Sequence, residues 1–297
     1  MIHHISLLSY GDNLISLTLL SRLRDRSGIA IVGSAHTAQI AGFFPGLDIP
    51  VSVEFDSVPA FYDVRMRGVM AAVREAITFR RRMARWVRAG DSLILEHDDA
   101  RSRALLRFPG VTLFEPKRVA NVYEDRRSML QTVFNQQIAL EPARVLSAPP
   151  RRVTINPASR VRQKSMPSRI LSVLVSSLKA RDIEIQLIDP EQEHRALASR
   201  VDGHHVGTTL DEAVALIRRS DLYIGADSLL MHFAYYCGTP AIVLFNETNL
   251  YFAPPGVAEQ GSYLEHVARA TDDEFRASFD ALLERPGLNP PTLHLFN

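Results

Sequence analysis

Residues 220–249 read SDLYIGADSLLMHFAYYCGTPAIVLFNETN, an order of residue types that dictates strand, turn, helix, break and strand. Leu222-Tyr223-Ile224-Gly225 is a short apolar strand. Ala226-Asp227-Ser228 is the turn, where Asp227 or Ser228 can accept from the free N–H groups of the following helix. Leu229 to Tyr236 is apolar all round except for His232, so this helix is expected to be buried on most sides. Cys237-Gly238 ends it, Pro240 bars its continuation, and Ala241 to Phe245 reads as a fully buried strand. Parallel strands joined by a helix form a βαβ unit, whose ligands sit beyond the carboxyl ends of the strands. Asp227 and Ser228 stand at one such end and Asn246 to Asn249 at the next. The helix N-terminus between them is a ready anion site.

Upstream, Arg152 to Asn156 is a strand, followed by a polar loop with Ser159, Arg160, Arg162 and Lys164, and by a helix from Ser168 to Ala180. A loop lysine or arginine is ordinarily solvated, and spacing alone assigns these nothing more. Ile183 to Ile188 is a strand ending in Asp189-Pro190-Glu191-Gln192-Glu193. His204-His205 precedes a strand at Val206 to Thr208. Adjacent histidines on an extended chain point to opposite faces and make a poor metal pair.

The first half opens with a strand from Ile2 to Leu8, a turn at Ser9 to Asn13 and a helix from Asn13 to Arg26. On spacing alone Asp12 reads as a helix N-cap. Further strands are expected at Ile29 to Val32, Val51 to Phe55, Ser92 to Glu96 and Val111 to Phe114. Helices are expected from His36 to Phe43, Asp63 to Arg88 and Glu124 to Leu140. Glu96-His97-Asp98-Asp99, at a strand exit, reads either as acceptor-binding residues or as an exposed acidic turn; its spacing does not suit a metal. The helix at 63–88 carries Arg74, Arg80, Arg81, Arg82, Arg85 and Arg88 among Ile77, Phe79, Met83 and the only tryptophan, Trp86. It reads as a solvated helix with an apolar underside. The sharper expectation is a basic surface for anionic lipid or a phosphorylated partner, with Arg81, Arg82 and Arg85 as the residues that bind it and Trp86 as an interfacial anchor.

With 297 residues the chain is comfortable for two domains. The prolines at 142, 149 and 150 mark the boundary. The expected organisation is one domain at 1–145, a second at 151–285 and a tail at 286–297. Net charge is +1, from 34 basic and 33 acidic residues, which argues against a nucleic-acid binder. A single cysteine, Cys237, rules out a disulfide framework and fits a reducing compartment. No stretch approaches a membrane span and the N-terminus lacks a signal-peptide layout, so a cytoplasmic place is expected, with contact to an anionic inner membrane as a further expectation.

The motif D-x-x-I-G-x-D-S-x-x-x-H-x-A-x-x-x-G-T-P-x-x-x-L-F at 221–245, led by Gly207-Thr208-Thr209-Leu210, resembles the donor-site segment of glycosyltransferase family 9, the bacterial lipopolysaccharide heptosyltransferases. The Pro157-Ala158-Ser159…Lys164-Ser165-Met166-Pro167 loop resembles the same family, with Met166 where Trp is usual. Leu229 and Asp189 stand where the family usually has Gly. The resemblance covers residues 152–249, and more thinly 1–45. It implies a GT-B-like α/β architecture, two Rossmann-like domains facing across a cleft, with 1–145 the acceptor-side domain and 151–285 the nucleotide-sugar-binding domain. It implies that Lys164 contacts the donor pyrophosphate, with Ser159, Arg160, Asp227, Ser228, Leu229, Leu230 and His232 around it. Glu191, with Glu193 as substitute, would hold the ribose, and Asp12 would be the base that activates the acceptor hydroxyl.

The expected activity is therefore metal-independent inverting transfer of a sugar, a heptose foremost, from a nucleotide-sugar donor, with ADP-sugar favoured and no cofactor. The acceptor would be a lipopolysaccharide core, another glycan or glycolipid, or a protein. A nucleotide-sugar epimerase or hydrolase on the same scaffold, and a non-catalytic nucleotide-sugar-binding paralogue, are the alternatives.

Overall fold

Alternating apolar strands and amphipathic helices build two parallel sheets, one in each of two units, Met1–Leu140 and Glu141–Asn297. The computed structural model describes residues 1–141, 144, 146, 148–247, 249–257 and 260–284, without the side chains of residues 65 and 66. Pro142 and the expected tail at 286–297 lie outside the described residues.

The first unit runs β1 (Ile2–Ser6), α1 (Tyr10–Ser21), β2 (Ile29–Ser34), α2 (Ala35–Ala41), β3 (Val51–Phe55), α3 (Val64–Arg67), α4 (Val69–Trp86), β4 (Ser92–Leu95), α5 (Ala100–Leu106), β5 (Thr112–Phe114) and α6 (Val122–Phe134). Its strand order is β3-β2-β1-β4-β5, all parallel. Ile5, Val32, Leu93 and Leu95 from the strands pack on Phe79 and Met83 of α4. Gly33 has no side chain for a packing reason. A Cβ there would stand 2.5 Å from the side chain of Thr37, whose hydroxyl ties α2 to the Ser6 carbonyl at 2.6 Å.

The second unit runs β6 (Arg152–Asn156), α7 (Ser168–Lys179), β7 (Glu184–Ile188), β8 (Gly203–His205), α8 (Leu210–Arg218), β9 (Leu222–Ala226), α9 (Leu229–Cys237), β10 (Ala241–Leu244), β11 (Tyr263–Leu264) and α10 (Asp272–Leu283). Its order is β11-β10-β9-β6-β7-β8, again parallel throughout. Val153, Ile155, Ile185, Leu187, Leu222 and Ile224 meet Ile170 and Leu174 of α7 and Phe275 and Phe279 of α10 in one core. Met166 is buried in that core at the mouth of α7, a packing residue.

Several boundaries differ from those read in sequence. The first helix starts at Tyr10, so Asp12 lies inside its first turn, and Ser9 holds the N-cap position. The long helix expected at 63–88 is two, because Gly68 adopts φ +83° between α3 and α4. The helix expected to reach Leu140 stops at Phe134, where Asn135 turns left-handed at φ +49°. The strand near the paired histidines is Gly203–His205, not Val206 to Thr208. α5 and β11 went unread.

The arginine helix is also corrected in part. Trp86 is no interfacial anchor: it packs on the core cluster, edge-on to His3 with ring centroids 5.5 Å apart. Arg80 donates to the carbonyls of Ala104, Leu105 and Arg107 and lies 4.8 Å over the Phe108 ring. Arg82 pairs with Glu54 at 3.1 Å. Arg81 and Arg85 remain exposed, beside exposed Val69, Met70, Val73 and Ile77. Among the described residues no helix is long and apolar enough to cross a membrane.

Candidate active site

In each sheet one pair of neighbouring strands sends its chain off in opposite directions, and the crevice left there is where doubly wound sheets bind ligands. In the first unit the pair is β1 and β4, and in the second β6 and β9. The chemically interesting side chains collect at these two points.

After β1 the chain turns into α1, which places the Asp12 carboxylate in a first turn whose free N–H groups favour an anion. Oδ2 accepts from the Ser9 hydroxyl at 2.8 Å. Oδ1 accepts from His97 Nε2 and from Arg126 Nη2, each at 2.9 Å. Arg126, on α6, is 1% exposed, and its remaining donors reach the Asp12 carbonyl at 2.8 Å, Ser16 Oγ at 3.0 Å and the Glu96 carbonyl at 3.0 Å. Burial alone would raise the pKa of Asp12. The His97 hydrogen bond and the Arg126 charge, with Ser9, overturn that and hold the carboxyl well below the usual carboxylate range. Asp12 is thus a fixed anion and no N-cap.

The Glu96-His97-Asp98-Asp99 run is neither an exposed acidic turn nor a set of equivalents. Asp99 caps α5 by accepting from Ser102 N at 2.9 Å, and Asp98 pairs with Arg103. His97 turns to Asp12. Glu96 is buried, and Ser6 Oγ lies 2.8 Å from its Oε1 and 2.7 Å from Asn13 Oδ1. One serine hydroxyl carries one proton, so Ser6 donates to one of these two oxygens at a time. Burial first, and then the nearby Asp12 charge, push the Glu96 pKa up against the pull of Arg126. His4, buried below, has neither ring nitrogen hydrogen-bonded. Burial, aided by Arg126, lowers its pKa to about 3.

In the second unit the loop after β6 and the turn after β9 tie together. Lys164 Nζ donates to Asp227 Oδ2 at 2.7 Å, and Asn249 Nδ2 reaches the same oxygen at 2.8 Å. Ser159 Oγ donates to the Asp227 carbonyl at 2.7 Å. Asn156 Nδ2 donates to Ser228 Oγ and to the Ala158 carbonyl, both at 3.0 Å. Asn246 Nδ2 holds the lysine loop through the carbonyls of Gln163 and Ser165, at 2.8 and 2.7 Å. Ser228 occupies the N-cap of α9 without capping it through its side chain, so the helix keeps its first N–H groups for another acceptor. Gly225 lacks a side chain because the Tyr223 phenol runs past it; a Cβ would sit 2.1 Å from the Tyr223 oxygen.

Not every expected donor residue joins this cluster. Leu230 and His232 are buried in α9, Leu229 is half-buried beside Ser228, and Arg160 is exposed. Glu191 and Glu193 are exposed on the turn after β7. Asp189 is there for structure: it accepts from the backbone N–H of Glu193 and His194 at 3.0 and 2.9 Å, and its Oδ2 lies 2.9 Å from His204 Nε2. That carboxylate closes the turn, with Gln192 at φ +58°. Among the described residues no group of three or more His, Cys, Asp or Glu is placed to hold a metal ion.

Sequence reasoning missed Arg126 and Asn156, and gave Asn249 and His97 a strand-exit position without a role. Arg126 carries no local signal, being one arginine among two in an amphipathic helix. The strand-exit positions of Asn156, Asn249 and His97 were the available clue.

A family model described as glycosyltransferase family 9 (heptosyltransferase) matches residues 96–278, more than half of the chain. The chain belongs to glycosyltransferase family 9. His97, Arg126, Lys164 and Asp227 fall within the matched span, and Asp12 precedes it. This family 9 enzyme transfers a sugar from a nucleotide-sugar donor. Comparison with curated proteins gave no match. Among solved structures, the E. coli heptosyltransferase WaaC with ADP-2-deoxy-2-fluoro heptose is 14% identical, covering 95% of this chain and 99% of its own, with a TM-score of 0.65. The E. coli ADP-heptose LPS heptosyltransferase II is 16% identical over 95% and 98%, with a TM-score of 0.59. The spinosyn rhamnosyltransferase SpnG complexed with thymidine diphosphate is 16% identical over 97% and 92%, with a TM-score of 0.54. At these identities the likeness establishes the fold: GT-B, with two Rossmann-like domains.

Proposed function

We propose that this family 9 enzyme is an inverting, metal-independent heptosyltransferase that takes its sugar from an ADP-sugar and delivers it to a lipopolysaccharide core or related glycan. The observation that carries the reading is Asp12, a carboxylate kept ionised at the carboxyl end of β1 with Oδ2 engaged only by Ser9 among the described hydrogen bonds.

In the reaction the acceptor hydroxyl gives its proton to Asp12 Oδ2 while its oxygen electron pair forms the bond to the anomeric carbon. The bond from that carbon to the phosphate oxygen breaks, and the nucleoside diphosphate leaves with the electron pair. A single displacement inverts the anomeric centre. Lys164 and the free N–H groups of α9, near Ser228 to Leu230, take up the growing negative charge on the diphosphate. Ser159 and Arg160 border the phosphate, and Glu191, with Glu193 as substitute, binds the ribose. The ADP-heptose preference draws on what the WaaC structure contains. On the acceptor side, exposed Arg81 and Arg85 would meet a phosphorylated glycolipid, with the enzyme cytoplasmic and peripheral on an anionic inner membrane.

The test is a thermal-shift screen of ADP, GDP, UDP, dTDP and their sugars, followed by turnover of ADP-heptose with lipopolysaccharide lacking heptose, in excess chelator. The reading expects ADP and ADP-heptose to stabilise the protein, product of inverted configuration by NMR, and no loss to chelator. Stabilisation by dTDP alone removes the ADP-heptose assignment. Sugar released or altered without acceptor marks a hydrolase or epimerase instead.

A further inference from the structure

Asp12 has a partner set that a lone base does not need. Oδ1 receives two donors, His97 and Arg126, and Oδ2 receives one, Ser9. Arg126 is anchored by four hydrogen bonds, to α1 and the end of β4, and is almost wholly buried. A buried guanidinium needs a counter-charge. The groups that face it are Asp12 and Ser16 of α1, Glu96 and His97 after β4, and His4 of β1. Burial raises the Glu96 pKa and lowers that of His4, which disfavours the charged form of each. Asp12 is the carboxylate that the Arg126 guanidinium hydrogen-bonds directly.

Both donors also come from elements remote in sequence, 85 and 114 residues from Asp12. Their joint effect is directional. A carboxylate with one oxygen saturated by two N–H groups cannot rotate freely, and its other oxygen is presented in one direction.

We infer that His97 and Arg126 are positioning residues for sugar transfer: they occupy Oδ1 of Asp12, so that Oδ2 is the atom that meets the acceptor hydroxyl. This rests on the reading of Asp12 as the base. The arrangement makes Asp12 a weak base that is available at every pH where the fold persists. That suits a hydroxyl that becomes strongly acidic only as its bond to the anomeric carbon forms. His97 is the more informative of the two to change, because its side chain is 31% exposed and its replacement leaves no buried charge unpaired.

Two measurements test this in the intact chain. The first uses no ligand: the Asp12 carboxyl is followed by carbon-13 NMR over pH in wild type, His97→Phe and His97→Gln. Asp12 should stay ionised in wild type to the acid limit of folding. It should titrate at visibly higher pH in His97→Phe, and return toward wild type in His97→Gln, whose amide can still donate. An unmoved Asp12 in a folded His97→Phe overturns the inference. If His97→Phe does not fold, His97→Ala replaces it in the same comparison. The second measurement is transfer from ADP-heptose to lipopolysaccharide lacking heptose. His97→Phe should lower kcat by about tenfold or more, keep the KM for donor, and move the acid limb of kcat to higher pH, with His97→Gln restoring all three. Wild-type kinetics in His97→Phe beside an inactive Asp12→Asn rejects the inference alone. Normal turnover by Asp12→Asn rejects the base itself.

Discussion

Lys164 and Asp227 form an ion pair of 2.7 Å that joins the loop after β6 to the turn after β9, and Asn249 reinforces the same carboxylate oxygen at 2.8 Å. An ammonium so placed already faces an anion at the strand ends, the place a diphosphate would take. On the proposed function, donor binding would exchange one anionic partner of Lys164 for another. Lys164→Ala should weaken ADP by about 1.5–3 kcal/mol, the range of a hydrogen bond to a charged group, and leave adenosine unchanged. Asp227→Asn removes the competing charge and should tighten ADP. Calorimetry with both ligands decides it, and equal losses for ADP and adenosine in Lys164→Ala would place the lysine away from the phosphates.

Gly225 should tolerate no side chain while Tyr223 stands. A Cβ 2.1 Å from the phenol oxygen forces Tyr223 off Asn156 and Ser228, so Gly225→Ala should cost about 1–3 kcal/mol. The ring carbons Cζ and Cε1 would stand at 2.4 and 2.7 Å as well, so Tyr223→Phe keeps the clash, whereas Tyr223→Val, which removes the ring, should recover part of that loss in the double variant. Denaturant unfolding of the two single variants and the double variant measures the coupling. Additive losses would mean that the close approach is relieved elsewhere.

His4 sets an acid limit on the first unit. Its folded pKa of about 3 lies below the ordinary 6.5, so below pH 6.5 the unfolded chain binds a proton that the folded chain refuses until about pH 3. Stability should fall with decreasing pH across that window, by up to about 1.4 kcal/mol per pH unit for this one group. Between pH 7 and 5 the expected loss is about 2 kcal/mol by the same linkage. His4→Leu should flatten that slope in chemical denaturation at the two pH values. A variant with the wild-type slope would place the acid sensitivity in other groups.

The exposed flank of α4 should bind anionic bilayers. Val69, Met70, Val73 and Ile77 are 47% exposed or more and fall on one stripe, adjacent to the arc of Arg74, Arg81 and Arg85. Each basic residue near an anionic surface contributes about 1 kcal/mol, which salt screens. The protein should sediment with vesicles containing phosphatidylglycerol and not with neutral ones, and release as salt rises. Arg81→Gln with Arg85→Gln should abolish sedimentation and leave ADP affinity intact. Sedimentation that ignores salt would assign the flank another role.

Alternating strand and helix periodicities, the Gly-Thr-Pro break and the strand-exit polar residues sufficed to read a two-domain α/β chain with a polar loop after Asn156. These are local features, each written within one element or turn. The same locality explains what was misjudged. On spacing alone Asp12 reads as a cap, and only the resemblance makes it the base, because capping is decided within one turn, whereas its partners lie 85 and 114 residues away and become neighbours only when β4 inserts beside β1. Trp86 looked interfacial because its helix is basic, and packing against His3 decided otherwise. The raised pKa of Glu96 has no sequence signature at all: it follows from burial beside the Asp12 charge. Sequence determined the chemical groups and the order of the elements. Tertiary structure decided which charges are paired, because pairing depends on distances that strand order alone creates.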